Sequence, residues 1–310
     1  MSAPGRASPP PLVAIVGPTA AGKSDLAVAL AERLGGEVVN ADSMQLYRGM
    51  DIGTAKLSAA ERRGVPHHLL DVLDVTEPAA VATFQGRARA AVDDCRARAV
   101  VPVLVGGSAL YVRAVLDRFE FPGTDHAVRA ELEADLAAAG PAALHARLAA
   151  DDPAAAAAIL ATNGRRIVRA LEVVRLTGRP FSASLPGYEY AYDRVVQVGV
   201  DVPRDVLDWR VTHRVDRMWS AGLVDEVRRL ERVGLREGRT ASRALGYAQV
   251  LRQLAGRCTE QEARDETVRA TRRFARRQDS WFRKDPRIGW LAHDADDLVD
   301  QAVAAVGGCG

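Results

Sequence analysis

The apolar positions of this chain follow two rhythms. Residues 12 to 17 (LVAIVG) form a short apolar run closed by Gly17, and KSDLAVALAERLGG then repeats its apolar positions at helical spacing until Gly35 and Gly36 stop it. That order predicts strand, loop, helix. EVVNAD predicts a second short strand, VVPVLVGG (residues 100 to 107) a fully apolar one of the kind buried in a parallel sheet, and VVQVGVDV (195 to 202) a last core strand. Alternation of strands and helices predicts an α/β protein built on a doubly wound parallel sheet.

Between about Asp125 and Gly178 the text turns Ala-rich and helical, with no convincing strand, and beyond residue 202 it reads as helix broken by glycines as far as Trp281. The expected organisation is a disordered tail over residues 1–11, a first part of the core over 12–120, a helical insertion over 121–194, and a second part of the core over 195–310. Composition adds limits. With 48% hydrophobic residues in 310, a large core is available, and no apolar run approaches the roughly 20 residues of a membrane span. MSAPGRASPPP lacks the apolar centre of a signal peptide, so a cytoplasmic protein is expected; no segment marks an oligomer interface, so a monomer is expected too. Cys95, Cys258 and Cys309 show no CxxC spacing, which argues for ordinary reduced thiols. Net charge is only +2, so any affinity for nucleic acid must come from a local patch.

Gly17-Pro18-Thr19-Ala20-Ala21-Gly22-Lys23-Ser24 satisfies GxxxxGK[ST] between a strand and a helix. Its glycines allow a tight turn whose N–H groups point at phosphate oxygens, Lys23 adds a mobile cation, and the Ser24 hydroxyl is placed to ligate Mg²⁺. Lys23 is one of only three lysines among 42 basic residues, which suggests a chemical requirement. The loop signals a bound phosphate chain, from a nucleotide such as ATP or from a diphosphate. It does not signal that phosphoryl moves.

Asp42 stands just past the second strand, on the sheet edge the phosphate loop shares, where a carboxylate can take a proton from an attacking group or merely cap the following turn. Asp51 and Lys56 read as solvated loop residues. The adjacent His67 and His68 have no third ligand spaced nearby and read as core or loop histidines. Ser108, after Gly106-Gly107, starts a helix on the same edge and serves as a cap or a substrate contact. Residues 269 to 287 carry eight basic against two acidic residues, with Arg269, Arg272, Arg273, Arg276 and Arg277 along one broad helical face and Trp281 just after it, a pattern that favours nucleic-acid backbone. GRRIVRALEVVR in the insertion is a second basic segment.

The ordered set GPTAAGKS, NADSMQLYRGMDIGTAK, PHHLLDVLD, PVLVGGSALYVRAVL, RRIVRALEVVRLTGRP, MWSAGLVDEVRRL, SRALGYAQV and ATRRFARRQDSWFRKDPR resembles the tRNA dimethylallyltransferases, which attach a five-carbon prenyl group to N6 of the adenosine 3′ of the anticodon. The resemblance runs from residue 12 to about 290 and implies that the loop holds the diphosphate of dimethylallyl diphosphate, with Mg²⁺, as a leaving group. It implies Asp42 as base, Lys23 and Ser108 as its partners in catalysis, and Thr19, Ser24, Ser108 and Arg243 around the diphosphate, the adenine or both. Asp42, Ser43, Met44 and Gln45 match the segment that meets the target nucleotide. Arg129, Arg165, Arg166 and Arg169 of the insertion, with Arg273 and Arg277 of the basic helix, would grip the anticodon stem-loop. Two departures are Ala21 where serine is frequent in the family and Ser108 where threonine is common; the first removes one possible side-chain contact but no backbone donor, and the second keeps the hydroxyl. The main rival is a small-molecule P-loop kinase using ATP, which leaves the insertion and the arginine face unexplained. A nucleotide-switched RNA-binding module is a second rival, against which no NKxD guanine-reading motif is present.

Overall fold

The computed structural model describes residues 8–118, 121–181 and 187–308. Residues 1–7 of the expected tail and Cys309 lie outside the described residues. Pro9 and Pro10, by contrast, are held: Arg194 Nη1 donates to the Pro9 carbonyl and Arg96 Nε to that of Pro10, each at 3.1 Å.

The chain divides into two compact units, one made of the residues up to Leu116 and from Tyr192 onward, the other of Asp117–Ala191. In the first, β1 (Leu12–Val16), β2 (Gly36–Asn40), β3 (His67–His68), β4 (Val101–Gly106), β5 (Val195–Asp201) and β6 (Ile288–Ala292) form a six-stranded parallel sheet in the order β3-β2-β4-β1-β5-β6. β1 sits at the centre, with Val13 opposite Val103 on one side and Val196 on the other. All five residues of β1 are fully buried, as a strand covered on both faces requires. α1 (Lys23–Leu34) packs Leu26, Val28 and Leu30 into that core and ends at Gly35, whose left-handed backbone makes it the helix stop its sequence position predicts. α2 (Val81–Ala97) and α3 (Ala109–Leu116) flank β4.

β5 is not the last strand. IGWLA forms β6 at the sheet edge, with only Ile288 buried, and its Gly289 and short apolar content hide it from a reading based on apolar runs. The rest of the second half is helical, as expected: α7 (Arg204–Ser220), α8 (Leu223–Glu231), a 3₁₀ turn (Ala241–Arg243), α9 (Tyr247–Leu254), α10 (Glu260–Phe282) and α11 (Leu298–Gly307).

The second unit contains α4 (His126–Asp151), α5 (Pro153–Ala158) and α6 (Gly164–Thr177). α4 bends at Gly140-Pro141, where the proline cannot continue the hydrogen-bond ladder. The unit has its own core of Leu132, Leu144, Leu148, Ile159, Ile167 and Leu171, so the Ala-rich text buries a modest leucine and isoleucine stripe and leaves its polar faces outside.

Candidate active site

Gly17, Asp42 and Gly107 follow the C-terminal ends of β1, β2 and β4, which brings three separate stretches of sequence to one edge of the sheet. In the phosphate loop, Ala20 and Gly22 both adopt left-handed backbone, which turns the chain tightly before α1 begins at Lys23. Lys23 Nζ reaches back across the loop and donates to the Pro18 carbonyl at 2.7 Å. Burial of the ammonium, with the Arg214 guanidinium beside it, brings its pKa down to about 8 against the opposing pull of Asp42. Lys23 and Ser24 line a cavity of about 450 Å³ with Asp25 and Asp51.

The loop is supported from the far end of the chain. Gln278 on α10, only 8% exposed, accepts from the Thr19 N–H at 2.9 Å through Oε1 and donates to the Gly107 carbonyl at 2.7 Å through Nε2. A Cβ on Gly107 would fall 2.4 Å from that Nε2, so glycine is required for the approach.

Asp42 is oriented by Asn40, two residues before it. Asn40 Oδ1 accepts the Asp42 N–H at 2.9 Å, and Asn40 Nδ2 donates to the carbonyls of Asp42 and Leu69, both at 3.0 Å. Asp42 Oδ1 accepts the Met44 N–H at 2.9 Å, while Oδ2 has no hydrogen-bond partner among the described residues. One oxygen of the carboxylate is thus engaged in the turn and the other is open to the cavity side of the loop's hydrogen-bond network. Asp42 lines a cavity of about 430 Å³ together with Thr19, Ser43, Met44, Ser108 and Arg214. The Ser108 hydroxyl is half-buried and unpartnered among the described residues. Arg243 and Arg277 are exposed residues on the same cavity, Arg277 lying 5.8 Å from the Phe274 ring centroid. Gln45 turns away and donates to the Thr54 carbonyl at 3.2 Å.

Two supporting residues escape a reading by motif. Arg214 on α7 lines both cavities and donates to the Thr54 carbonyl at 3.1 Å; burial and neighbouring Arg217 lower its pKa, and Asp42 raises it. Glu226 on α8 is 2% exposed and accepts four hydrogen bonds: from the N–H groups of Asp51 (3.2 Å), Ile52 (2.8 Å) and Gly53 (3.2 Å), and from the Tyr247 hydroxyl (2.6 Å). Burial and this carboxylate push the Tyr247 hydroxyl well above the usual tyrosine range. The signal for Glu226 was present: it shares the apolar helix face of Leu223, Val227 and Leu230.

The basic segments are less free than their composition suggests. On α10, Arg273 and Arg269 both engage Glu266, at 2.9 and 3.1 Å, and Arg272 donates to Thr212 Oγ1 at 2.7 Å, packing α10 on α7. In the second unit, Arg129 and Arg169 converge on the fully buried Glu172 at 2.5 and 2.7 Å, whereas Arg165 and Arg166 are exposed and unpartnered among the described residues. Lys56 is not a solvated loop residue. Its side chain is 2% exposed, and Nζ donates to Asp51, Asp71 and the Tyr47 carbonyl, closing the loop after β2. His68 also meets partners that are remote in sequence: Glu37 Oε2 lies 2.7 Å from His68 Nε2 and 3.5 Å from Cys95 Sγ. Arg98 places Nη1 and Nη2 on the same carboxylate at 2.8 and 2.7 Å, holding its pKa down at about 2, and burial pushes the Cys95 thiol up to about 12. With the guanidinium already seated there, the trio forms a closed network rather than a cation site.

Residues 45–285 match the IPP transferase family. The chain is 69% identical over 291 residues to a tRNA dimethylallyltransferase of Streptomyces avermitilis (94% of this chain, 93% of that one), and 67% identical over 300 residues to one of Thermobifida fusca (95% and 94%). Among solved structures, it is similar to the full-length tRNA isopentenylpyrophosphate transferase from Bacillus halodurans, at 42% identity and a TM-score of 0.71 over 96% of both chains. The fold is also that of a eukaryotic dimethylallyltransferase acting on tRNA, with a TM-score of 0.83 at 24% identity, covering 96% of this chain and 79% of that one. A phosphate loop, a carboxylate at the end of β2 and a glycine turn after β4, set on one edge of a parallel sheet, are thus the equipment of a chain that belongs to the IPP transferase family.

Proposed function

We propose that this chain transfers a dimethylallyl group from dimethylallyl diphosphate to N6 of the adenosine on the 3′ side of the anticodon in tRNA, releasing diphosphate. The observation that carries this reading is the convergence of Asp42, Arg214 and Lys23, in which one carboxylate feels two cations and faces a cavity with a free oxygen. In the step proposed, the adenine nitrogen forms a bond to the allylic carbon as the carbon–oxygen bond breaks, and the electron pair of that bond leaves with the diphosphate. The N6 proton passes to Asp42 Oδ2. An exocyclic amine is a weak nucleophile, so placement against the electrophile and removal of this proton are what the enzyme must contribute. Lys23, Arg214 and the N–H groups of the phosphate loop would hold the growing negative charge of the leaving group.

The oxygen donors around Ser24, the hydroxyl itself with Asp25 and Asp51 on the same cavity, suit a hard divalent cation. Mg²⁺ held by Ser24 and the diphosphate would supply further neutralisation of the leaving group. For the amine to reach Asp42, the adenosine must leave the anticodon-loop stack, which costs least in a single-stranded loop. Ser43, Met44 and Ser108 are then the nearest contacts for the extruded base. Arg165, Arg166, Arg243 and Arg277 would bind the stem-loop backbone, with Arg129, Arg169 and Arg273 sharing their charge between it and internal carboxylates. A tRNA substrate suits a cytoplasmic enzyme, and a monomer suffices for the groups invoked here. Among the described residues, no helix is long and apolar enough to cross a membrane.

The test is mass spectrometry of an anticodon stem-loop RNA incubated with the protein, Mg²⁺ and dimethylallyl diphosphate, with ATP omitted. One added five-carbon prenyl unit on the adenosine 3′ of the anticodon is expected; unmodified RNA, with ATP consumed in a parallel reaction containing small-molecule acceptors, would return the chain to the kinase reading. Lys23→Ala is expected to raise the KM for the donor about tenfold or more, in line with the loss of one charge-assisted contact of about 1.5–3 kcal/mol, with the KM for RNA unchanged. A shift in RNA KM alone would remove Lys23 from the diphosphate.

A further inference from the structure

The sequence draws attention to the arginines of α10, yet three arginines without carboxylate partners stand together on α7. Arg210, Arg214 and Arg217 are spaced four and three residues apart on one face of that helix. None of them has a carboxylate within ion-pair distance among the described residues, whereas Arg264, Arg269, Arg273, Arg276 and Arg283 of the α10 region all do. Arg210 donates to His293 Nδ1 at 2.9 Å, with that nitrogen as the acceptor. Arg217 is exposed, and its side chain makes no hydrogen bond among the described residues. Neighbouring like charges repel, and the lowered pKa of Arg214 records part of that cost.

These arginines frame a basin of about 890 Å³ on the α7 side of the phosphate loop, whose wall includes Ala20, Ala21 and Gly22. Arg214 lines this basin and both of the cavities already described, and Arg217, Ala20, Gly22 and Asp25 line the basin together with the Lys23 and Ser24 cavity. Arg63 also lines the basin, sharing its charge with Glu32 at 3.2 Å. Asp25 is the acidic residue on the basin wall. Trp209 is 61% exposed there, its ring 4.1 Å from that of His213, and offers a flat apolar surface next to the cations.

We propose that this basin is an outer station for the prenyl donor, resting on the transfer reaction proposed above: Arg217, Arg63 and Arg210 capture the diphosphate electrostatically, Trp209 accommodates the hydrocarbon tail, and Arg214 passes the diphosphate inward to the loop. A cationic cleft of this kind raises the encounter rate of an anion without taking part in bond-making. A molecule that is a diphosphate at one end and a short hydrocarbon at the other matches both surfaces. A bare phosphate would have no use for the exposed indole.

The experiment is steady-state kinetics with dimethylallyl diphosphate and stem-loop RNA, at low and at physiological salt, for the wild type, Arg217→Gln and the double variant Arg63→Gln/Arg217→Gln. Both arginines are exposed, so the variants are expected to fold, with thermal melts checking this. The expected result is a fall of about five- to tenfold in kcat/KM for the donor at low salt and a flatter salt dependence, because the steering field is reduced. The kcat and the KM for RNA are expected to match the wild type, and calorimetric binding of inorganic diphosphate to weaken. Donor kcat/KM and salt slope equal to the wild type would overturn the outer station. So would a raised RNA KM with donor kinetics unchanged, which would assign these arginines to RNA phosphates. A wild-type protein that transfers no prenyl group would overturn the underlying reaction, an outcome distinct from transfer that ignores Arg217.

Discussion

Asp42→Asn is expected to lower the single-turnover rate of prenyl transfer by about 10²–10⁴-fold, the range for loss of a positioned proton acceptor, with RNA affinity held within about twofold. Asparagine is the informative replacement because the two oxygens of Asp42 have separate work. The amide oxygen can still accept the Met44 N–H that Oδ1 accepts at 2.9 Å, so the turn after β2 is preserved, but no group remains to take a proton at the Oδ2 position. Asp42→Ala removes the turn contact as well, and is expected to add a loss of RNA affinity to the loss of rate. Measuring both variants separates the base from the cap. A near-normal rate in the asparagine variant would refute proton removal by Asp42, whatever the alanine variant did.

Glu226→Ala is expected to destabilise the protein by about 3–5 kcal/mol, because several donors at about 1–3 kcal/mol each lose a charged acceptor. Three backbone N–H groups and the buried Tyr247 hydroxyl would lose the acceptor they share. Urea unfolding should show a large drop in midpoint, and hydrogen exchange should rise first at Asp51, Ile52 and Gly53. Glu226→Gln, which keeps one oxygen and places an amide N–H₂ against donors, should fall between the two. An alanine variant with a wild-type midpoint would mean that water satisfies these groups. The loop in question carries Gly53 and Thr54 to the wall of the Asp42 cavity, so loosening it should lower turnover even where the fold survives.

The parts of this molecule that sequence reveals are those written within a few residues. GPTAAGKS, the apolar runs of β1, β4 and β5, the helical insertion and the placement of Asp42 after a strand are all local patterns, and the structure has β1, β4 and β5 at the heart of the sheet. Partners drawn from far along the chain are not legible in this way. Gln278 meets Thr19 across a separation of 259 residues and Glu226 meets Ile52 across 174, and no spacing rule announces either. Charge was misleading for a related reason. A count of arginines on α10 is readable from the sequence, but its carboxylate partners Asp201, Asp208 and Asp216 belong to β5 and α7, and they neutralise much of what the count implies. β6 was missed because an edge strand of five residues with a glycine and two half-open positions has no apolar run to report.

The bond between Gln278 and Thr19 also bears on modularity. Residues 12–40 hold the complete phosphate-loop motif with its strand and helix, and look like a portable unit that could be excised or grafted. Their loop, however, takes one of its supports from the penultimate turn of a helix near the other terminus, and the glycine turn after β4 takes one from the same amide. A fragment ending before α10 would therefore carry every residue of the motif without its bracing. The loop is therefore completed only once α10, 259 residues further along the chain, has been made.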